Sequence, residues 1–144
     1  MKKLLKKYRF SGMLVLLFTS VLTLSSCDQD ELNIQQNYPF EVILMPVPSE
    51  LSLGETAEMR LTLIPGGHYA ETQYFIRYFQ FEGQGILQYY DEQPYLPNDI
   101  YGLPQKEFRL YYTSQSEENQ SFSIWISDSF GNEKKLDFQF QNVE

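Results

Sequence analysis

The chain has 144 residues, of which 16% are aromatic, and it carries eleven Lys or Arg against nineteen Asp or Glu, a formal charge of −8. This acidic balance argues against direct binding to a nucleic-acid backbone. A single cysteine excludes an intramolecular disulfide, so packing must supply the stability. The length is enough for one domain with a core, and the aromatic content favours a β-rich core over disorder.

The N-terminus has the features of an export signal. Five basic residues between Lys2 and Arg9 precede a mainly apolar run from Met13 to Leu24, and two serines follow. A basic head, a short apolar run and small exit residues are typical of a secretory signal peptide. The run is also shorter than the ~20 residues of a membrane-spanning helix. We therefore predict that residues 1–26 are removed.

The only cysteine follows this segment directly. Leu24, Ser25, Ser26 and Cys27 resemble the bacterial lipobox, in which the thiol is acylated and the signal is cut just before the cysteine. Small side chains admit the peptidase, and sulfur is the nucleophile that takes the diacylglycerol. An ordinary cleavage site beside an idle thiol is the alternative. We favour lipidation because a leftover cysteine in an exported protein usually has a special role. Two or more acyl chains make a durable anchor.

After the signal is removed, six basic and nineteen acidic residues give the mature chain a formal charge of −13. Residues 27–37 form the predicted lipidated cysteine and a flexible acidic tether, which spans on the order of 17 Å. An acidic run behind a lipidated cysteine resembles the surface-export signal of lipoproteins in the Bacteroides group. A solvated linker explains the same residues equally well.

Residues 38–144 show the period of two that is typical of strands. Apolar residues alternate with polar ones around 40–44, 57–63, 108–112, 122–126 and 136–140. The stretch 72–81 is aromatic on both faces, which suggests a central strand covered on both sides. About seven short strands with regular turn signals predict one all-β domain, an immunoglobulin-like β-sandwich. An up-and-down barrel is the alternative.

The sequence contains few residues in patterns that are typical of catalytic or metal sites. His68 is the only histidine, and no second histidine or cysteine could join it in a metal site. No nucleophile motif surrounds the serines. We therefore expect no catalytic residue, no metal, no cofactor and no small-molecule substrate, and we interpret His68 as a loop residue. The chain is not expected to be an enzyme.

Binding is better supported than catalysis. Residues 91–107 join two strands and contain three prolines together with Tyr95 and Tyr101, while Trp125 lies on the polar side of an alternating strand. Rigid prolines leave little entropy to lose on binding. Tyr95, Tyr101 and Trp125 are therefore candidate partner contacts. The more ordinary alternative is that the long loop covers these aromatic residues.

Several stretches together resemble one family. "YRFSGMLVLLFTSVLTLSSCD", "QNYPFEV", "GETAEMR", "IRYFQ" and "LPNDIYGL…FRLYYTSQS" are similar to the TraQ proteins of Bacteroides-type conjugative transposons. The resemblance runs over nearly the whole chain. It implies a small lipoprotein encoded among conjugal transfer genes, with an immunoglobulin-like sandwich and no catalytic residues. Only Cys27 can be carried over, as the lipid attachment point.

The residues and the resemblance lead to one functional expectation. The protein would be a membrane-anchored accessory component of a conjugative transposon transfer apparatus that contacts other conjugal transfer proteins. The alternative is a surface module that binds glycans or cell surfaces, for which Trp125 must be exposed. Lipid anchoring predicts a location in the cell envelope, with the outer membrane favoured and its side left open.

Overall fold

The computed structural model describes residues 37–67 and 72–143. All of these residues belong to one compact unit, residues 36–144. The predicted signal peptide, the lipobox with Cys27 and the loop histidine His68 lie outside the described residues. These expectations stay predictions.

The described residues form eight strands. Their bounds are β1 Phe40–Leu44, β2 Thr56–Pro65, β3 Tyr74–Glu82, β4 Gly85–Tyr89, β5 Tyr101–Leu103, β6 Glu107–Ser114, β7 Gln120–Asp128 and β8 Glu133–Phe140. No helix of this part of the chain is long and apolar enough to cross a membrane.

The strands make two antiparallel sheets of four. The first sheet has the order β1-β2-β6-β4 and the second has the order β5-β3-β7-β8. This corresponds to the A-B-E-D and C-F-G sheets of immunoglobulin-like domains, with β5 added beside β3. The predicted all-β sandwich is confirmed, and the barrel alternative is wrong because two separate sheets form. The eighth strand, β5, lies inside the predicted loop 91–107 and has only three residues.

The core forms where the sequence alternates. On β2, Ala57, Met59, Leu61 and Leu63 are buried, and on β6 their counterparts are Phe108, Leu110 and Tyr112. Side chains of a strand alternate between its two faces, so each run of alternate apolar residues faces the opposite sheet. Burial of these rows is the main favourable term that holds the sheets together.

A buried tyrosine links the two sheets by hydrogen bonds. Tyr112 projects from β6, and its hydroxyl lies 2.7 Å from Gln120 Oε1 on β7 and 3.1 Å from Gln80 Oε1 on β3. Its ring stacks on Phe122 with ring centroids 4.2 Å apart. Gln120 Nε2 in turn donates to the Glu118 carbonyl at 2.8 Å. Both sheets and the β6–β7 turn therefore meet at one phenol.

A second buried tyrosine has no such partner. Tyr89, at the end of β4, is buried, and its hydroxyl has no hydrogen-bond partner among the described residues. A buried hydroxyl without a partner costs about 1–3 kcal/mol of stability. Burial raises the pKa of Tyr89, and it raises the pKa of Tyr112 to about 12. Burial thus raises the pKa of both tyrosines, but only the Tyr112 hydroxyl has hydrogen-bond partners.

These two tyrosines should respond oppositely to loss of the hydroxyl. At pH 7, Tyr112→Phe is expected to destabilise the domain by about 1–3 kcal/mol, whereas Tyr89→Phe should be neutral or stabilising by about 1 kcal/mol. Above pH 10 the unfolded phenols ionise while the folded ones keep their protons. Stability is therefore complete below pH 10 and falls as the pH rises above 10, so the advantage of Tyr89→Phe should grow at alkaline pH. Urea unfolding at pH 7 and pH 11 measures both effects. Equal and parallel losses for the two variants would contradict the assignment.

Gly85 lies against the Tyr112 hydroxyl, and a Cβ there would overlap it. Gly85→Ala is therefore expected to displace the phenol and destabilise the domain by about 1–3 kcal/mol. Gly102→Ala is the matched control, because a Cβ at Gly102 meets nothing within 4 Å. The measurement is the urea midpoint of both variants. If Gly85→Ala proves as stable as Gly102→Ala, the close approach does not constrain the sandwich.

Candidate docking surfaces

The loop between β4 and β5, residues 90–100, is held against the sandwich by backbone hydrogen bonds. Tyr95 N donates to the Leu87 carbonyl at 2.8 Å, and Asn98 N donates to the Tyr78 carbonyl at 2.9 Å. The first bond attaches the loop to β4 in the first sheet, and the second attaches it to β3 in the second sheet. The loop therefore closes one side of the sandwich in a fixed conformation.

The tyrosines predicted as contacts serve this attachment. Tyr95 is only 6% exposed and stacks on Tyr101 with ring centroids 4.3 Å apart. The half-buried Tyr101 accepts a hydrogen bond from Leu96 N at its hydroxyl, at 2.9 Å. Burial raises the pKa of Tyr95 well above its usual range. The structure thus brings Tyr95 and Tyr101 together, but it places the Tyr95 ring in the core rather than at the surface.

The loop presents two aliphatic side chains instead. Leu96 is 61% exposed and Ile100 is 69% exposed. The charged residues of the loop are Asp91, Glu92 and Asp99, and it contains no Lys or Arg. Sequence reasoning missed Leu96 and Ile100 because it weighted aromatic residues. The available signal was two large apolar residues in a proline-rich stretch without the period of a strand.

Trp125 lies on the outer face of the second sheet, away from the tyrosine pair. It is half-buried, and it is aligned in register with Arg77 on β3 and Lys135 on β8. The Arg77 guanidinium lies 4.3 Å from the centroid of its ring, and Lys135 Nζ lies 5.6 Å away. Trp125 is therefore neither free at the surface nor covered by the loop, since two cations flank it.

Aromatic residues continue along the same face. Phe75, Phe79 and Phe81 alternate with inward residues on β3, and Phe81 is 58% exposed. The Phe79 and Phe81 rings meet edge to face with centroids 5.0 Å apart, and Phe81 lies 6.5 Å from Trp125. The sequence predicted β3 as a central strand covered on both sides. It is central, but its outer aromatic side remains partly open to solvent.

The outer face of the first sheet is different. Glu58 Oε1 accepts from Arg109 Nη1 at 2.9 Å and from Arg60 Nε at 3.1 Å. The hydrogen bond from Arg60 and the charges of both arginines lower the pKa of Glu58. An antiparallel sheet commonly has one polar face turned to solvent, and this charged network fits that pattern. Exposed ion pairs of this kind contribute little stability.

Metal binding has no visible basis in residues 37–67 and 72–143. No group of three or more His, Cys, Asp or Glu side chains converges there. The described surface carries an acidic loop with exposed aliphatic side chains and an aromatic sheet face on which Arg77 and Lys135 lie beside Trp125.

Comparison with known proteins identifies the family. The sequence pattern of the family described as TraQ conjugal transfer protein matches residues 11–143. The fold is similar to a conjugative transposon lipoprotein from Bacteroides eggerthii, at 44% identity and a TM-score of 0.69 over 74% of this chain and 100% of that one.

Two solution structures are also similar. A lipoprotein from Bacteroides thetaiotaomicron is 50% identical, with a TM-score of 0.68 over 80% of this chain and 88% of that one. A conjugate transposon protein from Bacteroides vulgatus is 44% identical, with a TM-score of 0.66 over 78% and 91%. No curated protein matches the chain. The family match over most of the chain confirms the resemblance seen in the sequence: the chain belongs to the TraQ family of conjugal transfer proteins.

Proposed function

We propose that the protein is a lipid-anchored accessory component of a conjugative transposon transfer apparatus and acts by contacting other transfer proteins. Similar structures from two Bacteroides species are described as lipoproteins, one of them of a conjugative transposon. The lipobox pattern that ends at Cys27 supports the same anchor here. The proposal assigns the anchor to the outer membrane and gives the chain no catalytic residue or cofactor.

The observation that carries the contact role is the loop 90–100. Leu96 and Ile100 are the most exposed of the large apolar side chains described, at 61% and 69%. The backbone under them is fixed by the Tyr95–Leu87 and Asn98–Tyr78 hydrogen bonds. A preordered apolar contact loses little entropy on binding, which favours affinity. Exposed apolar groups of this kind, rimmed by polar residues, mark interaction sites.

The charge of the loop indicates what it contacts. Asp91, Glu92 and Asp99 are the charged residues of the same loop, which contains no compensating Lys or Arg. Complementary charge speeds association and rejects partners of like charge. We infer that the loop meets an apolar patch with a basic rim on another transfer protein.

A glycan-binding module is the weaker alternative. A sugar platform needs an aromatic ring face that is free for stacking, and Arg77 lies 4.3 Å from the Trp125 ring centroid. Tyr95, a further candidate, is buried. A sugar would have to displace the guanidinium, so protein contact is the better explanation for this surface.

The anchor can be tested at Cys27. Cys27→Ala is expected to abolish incorporation of a labelled fatty acid, because the acylated sulfur is lost. Ser26→Ala is the matched control, since alanine keeps a small residue before the cysteine. Fatty-acid labelling of donor cells followed by fractionation measures both. Labelling of Cys27→Ala at the level of the natural sequence would refute the anchor.

The loop contact can be tested by placing charges on its aliphatic residues. The double variant Leu96→Asp and Ile100→Asp is expected to lower conjugal transfer at least tenfold, because carboxylates would replace two apolar contacts. The thermal midpoint should hardly change, since both side chains are exposed. Transfer frequency from donor cells is the measurement, together with crosslinked recovery of other transfer proteins.

The control for this experiment places the same charges elsewhere. Ile43→Asp with Leu53→Asp changes two exposed apolar residues outside the loop. It should leave transfer unchanged. By contrast, Tyr95→Ala should lower stability first, because its ring is buried. If the loop variant transfers as well as this control, the proposed contact is wrong.

A further inference from the structure

A second surface differs from the loop in both position and chemistry. It is the outer face of the second sheet, formed by Phe75, Arg77, Phe79 and Phe81 on β3 and Trp125 on β7, and we name it the aromatic face. The outer face of the first sheet instead carries the ion-paired Glu58, Arg60 and Arg109. Two sheets of one sandwich thus turn opposite kinds of surface outward.

Of the two cations beside Trp125, only one has a carboxylate partner. Lys135 Nζ lies 2.8 Å from Asp137 Oδ1, so this cation already has a carboxylate partner. Its hydrogen bond lowers the pKa of Asp137 accordingly. Arg77 forms no ion pair with any described residue, and its guanidinium lies over the Trp125 ring. The face therefore offers one cation without a carboxylate.

The contact with the indole ring limits where that cation can lie. The Arg77 guanidinium carbon is 4.3 Å from the ring centroid, a cation–π contact that still leaves the group its N–H donors. Those donors match the two oxygens of a carboxylate, which they can bind in a bidentate manner. Arginine and tryptophan are also among the residues most enriched at the energetic centres of protein interfaces. Arg77 and Trp125 therefore form a preordered carboxylate receptor.

The apolar part of the face lies beside this receptor. Phe81 is 58% exposed and meets both Phe79 and Trp125 edge to face. Phenylalanine rings provide contact area but no hydrogen bonds to sugar hydroxyls, so the face suits apolar side chains better than a glycan. A strand with aromatic residues on both of its sides is typical of one that is covered on both sides.

We propose that the aromatic face docks an acidic, apolar segment of a partner protein, whose carboxylate binds Arg77 and whose apolar side chains pack on Phe79 and Phe81. The proposal rests on the protein-contact function given above, but it concerns a separate surface. The loop 90–100 is acidic and calls for a basic partner, whereas this face calls for an acidic one. The domain would therefore hold two unlike protein surfaces together.

The test uses the full chain in donor cells that carry the element. A photocrosslinking phenylalanine analogue replaces Phe81, and the control carries it at Tyr111 on the outer face of the first sheet. We expect an adduct from position 81 with a single transfer protein, at a peptide that contains Asp or Glu beside apolar residues. The control position should give none of this adduct.

Charge reversal then tests the receptor. Arg77→Glu should reduce the adduct at least tenfold, and Arg77→Lys should reduce it less because the charge is kept but the fork is lost. Arg60→Glu, a charge reversal on the first sheet, is the matched control and should leave the adduct unchanged. Thermal unfolding of each variant confirms that the fold persists. The crosslinked peptide, made synthetically, should bind the purified chain, and its Asn or Gln counterpart should bind at least tenfold more weakly.

The outcomes are distinct. An adduct with a second copy of this chain, with lipid or with polysaccharide would overturn the proposal, as would no adduct or one that is indifferent to Arg77→Glu. If transfer still depends on Leu96 and Ile100 in that case, the proposed function stands and only the aromatic-face proposal fails. If the loop variant also transfers normally, the proposed function fails as well.

Discussion

The sandwich depends on one cross-sheet arrangement around Tyr112. Immunoglobulin domains of antibodies join their sheets by a disulfide, which a chain with a single cysteine cannot form. Here a phenol from the first sheet reaches Gln80 and Gln120 on two strands of the second. The turn between β3 and β4 is shaped around it: a Cβ on Gly83 would overlap Gln120, and one on Gly85 would overlap the phenol itself. Aromatic stacking and shared amide oxygens thus replace a covalent link.

The strands of the sandwich could be predicted from the sequence where one face of a strand is apolar and the other is polar. That is why β2, β6 and β8 were recognisable, since their inward rows are unambiguous. Prediction failed where the pattern does not distinguish the inward side of a strand from its outward side. Aromatic residues occupy both sides of β3, so alternation could not show that the outer side stays partly open. Tyr95 is buried because the loop docks on β4 and β3, a contact between residues distant in the chain that no local pattern encodes.

The chain path connects the two candidate surfaces through β5. The loop 90–100 leaves β4 in the first sheet and leads into β5, which pairs with β3 in the second. The acidic aliphatic loop therefore borders the sheet whose outer side carries Arg77 and Trp125. The two proposed contacts would bind partners of unlike charge, which agrees with the proposed accessory role.

The point where the chain enters the sandwich has a further consequence. Asn132, in the turn between β7 and β8, binds Asn37 and the Tyr38 carbonyl, which fixes the entry at the end where β3 begins. Phe81 lies near the other end of β3, seven residues along from Tyr74, roughly 23 Å away for an extended strand. The chain therefore enters the sandwich at the end of β3 remote from Phe81, so a partner that contacts Phe81 would approach the domain away from the point of entry.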